Sequence, residues 1–286
     1  MGYLLKNQIR NFPEEKPIFI VSAGRSGSTL LRKYLIQTGL FNIPPESEDL
    51  IPAIAKIYIK NIILPWNRKI RKILSLLKQS ENLKIWDINL NELHKSLREI
   101  PIHDRNLATI IKLIYSQYAK QFGSSNSLYW GDKTPYLILR LPWIFLIFPD
   151  AKIVHIIRDP RAVILSRKKE FGDSIDYSIK RWRWAISNIR RVNDKHHIIE
   201  VKYEDLLINT KETLDKILNY ISNNLVYEKK VESVYLGDDH YKHHKNLSKP
   251  LMIGKVYEWE EKISREDRAI IERELFREME YYGYKL

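Results

Sequence analysis

Apolar positions follow two periods along this chain, and the change from one to the other marks its elements. Residues 17–35, PIFIVSAGRSGSTLLRKYL, open with an apolar β-rich run, cross a turn of small residues, and resume at helical spacing. The order is strand, loop, helix. From Leu50 to Phe122 apolar residues recur at helical spacing with Lys and Arg between them, in KIYIKNIILPW, NRKIRKILSLLKQ and LATIIKLIYSQYAKQF, with breaks at Pro65 and Pro101. These are amphipathic helices. In AKIVHIIRDPRAVILSRKKEF (151–171) an apolar strand stops at Arg158-Asp159-Pro160 and a helix starts at once, while HHIIEVKYEDLL (196–207) gives another strand and a short helical turn. LYWGDKTPYLI (128–138) reads as a turn with an Asp132-Lys133 pair, after which Thr134-Pro135 opens a helix. Residues 237–254 are polar and carry no period. Strands at about 18–22, 152–157 and 197–202, separated by helices, predict a three-layer α/β sandwich around a central parallel sheet, with ligands at the strands' C-terminal ends. One domain over 1–286 is expected, with a helical insertion at about 50–125.

Composition narrows the partner. The 286 residues carry a formal net charge of +13, with Lys and Arg spread along most of the length. That favours an anion, whether phosphonucleotide, nucleic acid or membrane surface, and charge alone does not choose among them. There is no cysteine, which excludes a disulfide framework, a Cys nucleophile and Cys–zinc sites. Residues 1–16 lack an apolar core for a signal peptide, and the apolar stretch 137–157 is interrupted by Arg140, Pro142, Pro149 and Asp150. A soluble, cytoplasmic chain is the expectation.

The small-residue loop carries the chemistry. Ser26, Gly27, Ser28 and Thr29 have little bulk, so their N–H groups can converge on an anion at the helix N-terminus. A Walker A loop would need Gly at Ser22 and Lys at Ser28. The cation is instead Arg25, before Ser26-Gly27-Ser28-Thr29, and no strong Mg²⁺ ligand set is implied. The bland alternative is a Gly/Ser turn that only starts a helix. The displaced cation resembles the 5′-phosphosulfate loop of sulfotransferases that use 3′-phosphoadenosine 5′-phosphosulfate (PAPS), enzymes with a P-loop NTPase-like fold.

That resemblance spans almost the whole chain, most weakly from 50 to 125, and it assigns roles. Glu46, in the Pro-Pro turn FNIPPESEDL (41–50), matches the general base in position, with Glu48 the fallback and His94 or His103 of the insertion behind them; read bare, these acids are helix caps. Lys133 matches the family lysine that faces the transferring sulfuryl group, although an Asp-Lys pair is ordinarily a surface feature, and Arg25 is expected to join it as a catalytic cation that stabilises charge on the bridging and leaving phosphate oxygens. Arg158 and Ser166 match the 3′-phosphate contacts of an "RDPR…S" segment, and Tyr203 of "Y-E-D-L" a nucleotide contact. Residues 237–254 match a basic loop closing over the nucleotide. Glu258 precedes Trp259 where the family has Lys or Arg, so Lys249 or Lys255 would supply that charge.

Other features have plainer readings. His155 is a core histidine. His240, His243 and His244 lack the carboxylates of a metal site, so no metal is expected. One of Trp182 and Trp184 could stack on adenine. The resemblance implies sulfuryl transfer from PAPS, releasing 3′-phosphoadenosine 5′-phosphate (PAP), to a hydroxyl or amine of a glycan, lipid, peptide, carrier-bound or small acceptor, with the insertion forming the acceptor side. A P-loop-like kinase and a basic nucleic-acid-binding module are the alternatives.

Overall fold

A computed structural model describes residues 16–47, 49–80, 84–123, 127–193, 198–223, 225–231 and 256–286. The first half runs β1 (Ile18–Val21), α1 (Ser28–Gln37), β2 (Phe41–Asn42), α2 (Leu50–Lys60), α3 (Trp66–Gln79), α4 (Leu90–Arg98), a 3₁₀ turn (Ile102–Asp104), α5 (Leu107–Phe122) and β3 (Tyr129–Lys133). The second half runs a 3₁₀ segment (Pro135–Arg140), α6 (Leu141–Ile147), β4 (Lys152–Ile157), α7 (Pro160–Phe171), α8 (Ile175–Asn193), β5 (Ile198–Lys202), α9 (Tyr203–Ile208), α10 (Thr210–Ile221), α11 (Glu258–Lys262) and α12 (Arg265–Tyr281).

The strands form one sheet in the order β2-β3-β1-β4-β5, and every pair is parallel. β1 is central and buried on both faces, which is why its sequence is a continuous apolar run rather than an alternating one. Its alternate residues feed two cores. Ile18 and Ile20 join Val154, Ile156 and Val201 against α1 and α10. Phe19 and Val21 join Ile153 and Ile157 on the other face, in a core that also holds Ile54, Ile73, Leu93 and Ile110 of the helical insertion. The three layers are as expected, and the insertion shares one face of the sheet with α6, α7, α8 and α12.

Two sheet elements depart from the sequence reading. Residues 129–133, read as part of a turn, are a fully buried strand lying between β2 and β1, with Ile18 beside Gly131 and Ile20 beside Lys133. The Asp132-Lys133 pair is therefore interior, and as neighbours on a strand the two side chains leave on opposite faces. Within the Pro-Pro turn, Phe41–Asn42 add a two-residue edge strand. His155 is buried in β4, in the core as expected, with Nδ1 2.8 Å from Glu200 Oε2 while its buried Nε2 has no hydrogen-bond partner among the described residues. Among the described residues no helix is long and apolar enough to cross a membrane.

Candidate functional site

The chain changes direction across β1: β3 lies on one side and β4 on the other, so the C-terminal ends of these three strands meet where the loop 22–27 turns. The loop is tightly wound. Gly24, Arg25 and Gly27 all have positive φ, at 84°, 55° and 88°. Ser22 Oγ accepts from the Gly24 N–H (3.1 Å), Ser26 Oγ donates to the Gly24 carbonyl (3.1 Å), and the Ser22 N–H donates to the Pro135 carbonyl (3.2 Å). A left-handed Arg stores strain of about 1–3 kcal/mol, the kind of cost seen where function dictates backbone shape.

The winding delivers the N-terminus of α1 uncapped by any side chain, with no acidic residue in its first turn. Its orphan N–H groups and dipole at Gly27, Ser28 and Thr29 are therefore not neutralised by the helix's own side chains. The α7 N-terminus is different: Asp159 accepts from the Arg161 N–H (2.8 Å) and grips the Arg161 guanidinium (2.7 Å). The second strand-to-helix junction is thus filled by its own carboxylate. Arg161 is held in turn by Glu272, by the Lys285 carbonyl at 2.8 Å and by the Trp259 ring at 4.3 Å. The closing Trp259 and the chain end thereby brace the RDPR segment from behind.

Arg158 and Ser166 turn instead to the first loop. Arg25 Nε donates to Ser166 Oγ (3.0 Å), and Arg158 Nη1 donates to the Arg25 carbonyl (3.1 Å). The Arg158 guanidinium lies 4.5 Å over the Tyr203 ring, and Tyr203 packs on Gly27, where a Cβ would come within 2.3 Å of a ring carbon. Burial lowers the proton affinity of Arg25; Glu170 opposes this, while Arg158 and Arg167 add to it. Clustered guanidiniums of this kind are relieved by a multiply charged anion.

Close packing and positive φ make Gly27 irreplaceable. Gly27→Ala should destabilise the fold by about 1–3 kcal/mol, measured by denaturant unfolding. In a Tyr203→Ala background the same change should cost less, because only the φ penalty remains.

A second group forms on the β3 side. Lys133, fully buried, donates from Nζ to Thr29 Oγ1 (3.1 Å) and lies 3.3 Å from Glu46 Oε2, whose side chain is 24% exposed. Three segments far apart in sequence thus meet at one ammonium. The Glu46 segment is pinned on both sides: Arg32 Nε donates to the Ile43 carbonyl (2.8 Å), Trp86 Nε1 to the Pro45 carbonyl (3.2 Å), and the Ser47 N–H to Thr134 Oγ1 (3.3 Å). Ser47 Oγ also donates to Asp132 Oδ2 (2.9 Å), which receives the Tyr115 hydroxyl as well. Burial pushes the Asp132 carboxyl above its ordinary range, and burial pushes Tyr115 well above its own.

Arg25, expected beside Lys133, therefore sides with Ser166 and Arg158. Trp182 is buried in the core and cannot stack on a ligand, whereas Trp184 is 56% exposed and lines a shallow pocket with Ala23, Tyr136 and Arg181. Glu48, Lys249, Lys255, His240, His243 and His244 lie outside the described residues. The pinning residues Arg32, Ser47, Trp86 and Tyr115 went unnoticed in the sequence, as did Arg167, which donates to the Tyr136 hydroxyl (2.7 Å) beneath Gly24. The one available signal was position: Ser47 follows Glu46 and Arg167 follows Ser166.

The model of the Sulfotransferase family matches residues 17–225. A comparison with curated proteins finds no match. Among solved structures, the sulfotransferase domain of the Synechococcus PCC 7002 olefin synthase superimposes with a TM-score of 0.61 at 20% identity, covering 95% of this chain and 97% of that one. The sulfotransferase domain from the curacin biosynthetic pathway gives 0.54 at 18% identity, with 95% and 99% covered. Sulfotransferase STF9 from Mycobacterium avium gives 0.50 at 13% identity, with 100% and 81% covered. At these identities the likeness concerns the fold.

Proposed function

The chain belongs to the sulfotransferase family, and on that premise we propose that it moves a sulfuryl group from PAPS to a hydroxyl or amine acceptor, using the whole of 1–286 as one domain. The observation that carries the reading is the meeting of Thr29, Glu46 and Lys133 at the mouth of the loop. Glu46 takes the acceptor proton as its oxygen or nitrogen bonds to sulfur. The bond from sulfur to the phosphate oxygen breaks, and its electron pair leaves on PAP. Lys133, with Ser26, Gly27, Ser28 and Thr29 at the α1 N-terminus, stabilises the charge growing on that oxygen and needs no metal to do so.

Arg158, Ser166 and Arg25 bind the 3′-phosphate, and Tyr203 lies along the nucleotide. The guanidiniums select PAPS over ATP, whose ribose offers no 3′ anion. Lys249 and Lys255 belong to this proposal as further phosphate contacts.

Thermal unfolding with nucleotides tests the donor. PAP at about a hundredfold its Kd should stabilise by about 2.7 kcal/mol, a rise of roughly 5 °C or more, while AMP and ATP shift little. Arg158→Ala should erase most of that difference. Equal shifts with AMP would remove PAPS as the donor.

A further inference from the structure

The turn between α2 and α3 carries side chains for which the fold has no use. Ile59, Ile62 and Ile63 are 47%, 65% and 91% exposed. The turn is nonetheless firmly built. The Ile62 N–H donates to the Ile59 carbonyl (3.2 Å) and the Leu64 N–H to the Asn61 carbonyl (3.0 Å). Lys69 reaches back so that Nζ lies 3.3 Å from the Ile62 carbonyl and 4.3 Å from the Tyr58 ring. Just beyond the turn, Trp66 donates to the Leu97 carbonyl (2.9 Å) and lies under Arg105 (5.5 Å). That brings the neighbouring 3₁₀ turn alongside, where Ile102 is 81% exposed.

The charge along the hairpin itself has one sign. Residues 50–80 contain seven Lys and Arg and no Asp or Glu. Lys56, Ile59 and Lys60 are spaced i, i+3, i+4 at the end of α2, so cations and an isoleucine share one edge, and Ile62 and Ile63 follow in the turn. On α3 the exposed Arg68, Arg71 and Lys72 lie opposite the buried Ile70, Ile73 and Leu77. The acids nearby belong to the Ile102 turn: Glu99, and Asp104, which is 3.2 Å from His103. A surface shaped only for solubility mixes its charges and hides its isoleucines.

We propose that this hairpin docks on an anionic lipid bilayer, with the isoleucine tip entering the boundary of headgroups and acyl chains and the flanking cations resting over lipid phosphates. An acidic protein or a nucleic acid would satisfy the cations but leave the aliphatic tip in water. The inference is independent of the donor and base assignments.

Co-sedimentation of the full chain with phosphatidylcholine vesicles, with and without phosphatidylglycerol, tests it. Binding should require the anionic lipid and weaken with salt. Lys56→Gln and Lys60→Gln should each weaken it about fivefold. Ile62→Asp with Ile63→Asp should weaken it about tenfold or more, without change in melting temperature, since both side chains already face solvent. Failure to bind phosphatidylglycerol vesicles, or equal binding to neutral ones, would overturn the proposal. If the isoleucine pair proved irrelevant while heparin competed fully, the partner would be a soluble polyanion, and the bilayer would be the wrong occupant.

Discussion

Glu46→Gln should cut turnover of a weakly acidic alcohol by about 10²–10⁴, the usual worth of general-base catalysis, while PAP binding stays within about threefold. The substitution keeps shape and removes the proton acceptor. Its surroundings should hold still, because the backbone on either side of Glu46 is fixed by Arg32, Trp86 and Ser47. Lys133 would lose an anionic neighbour at 3.3 Å, which leaves the cation free to draw on the donor's oxygens, so the defect belongs in kcat more than in nucleotide affinity. An acceptor already acidic enough to ionise unaided would need no base, and a phenol should therefore recover much of the lost rate. Glu48→Gln serves as control. An inactive Glu48 variant beside an active Glu46 variant would move the base by two residues; activity in both would send the search to His94 and His103.

The sheet's centre was legible because parallel strands buried on both faces write themselves as unbroken apolar runs, as IFIV and KIVHII do. β3 was hidden by composition. Gly131, Asp132 and Lys133 are all residues that strands avoid, and the two charges are tolerated here because each meets partners: Tyr115 and Ser47 meet Asp132, and Thr29 and Glu46 meet Lys133. β2 was hidden by length, since two residues have no period. The loop's chemistry could be read from local order, as Ser and Gly around a single Arg need no tertiary contact to be recognised. The grouping of the site could not. Nothing in the sequence says that the Arg25 side chain turns to Ser166 rather than to Lys133, because that choice depends on where β4 lies relative to β1. Arg32 is the extreme case: a helical Arg between Leu31 and Lys33 looks like any solvated charge, yet it is fully buried and pins the segment before Glu46.

Lys133→Met should lower kcat by about 10²–10³, the scale of losing one preorganised donor to developing charge. Methionine is the informative replacement because the lysine is fully buried in the sheet; alanine would add a cavity worth about 2–5 kcal/mol of stability and confuse folding with chemistry. The variant should melt near the parent temperature and still respond to PAP, since the clamp of Arg158, Ser166 and Arg25 is built on other strand ends and shares no hydrogen bond with Lys133 among the described contacts. Lys133→Arg should fail to rescue, because the planar guanidinium is larger than the enclosed ammonium and cannot reproduce its point contacts with both Thr29 and Glu46. A KM effect without a kcat effect would make Lys133 a ground-state binding residue. Near-normal turnover in the Met variant, with PAP binding intact, would mean that sulfuryl transfer happens elsewhere along the loop, and Arg25 would become the cation to test next.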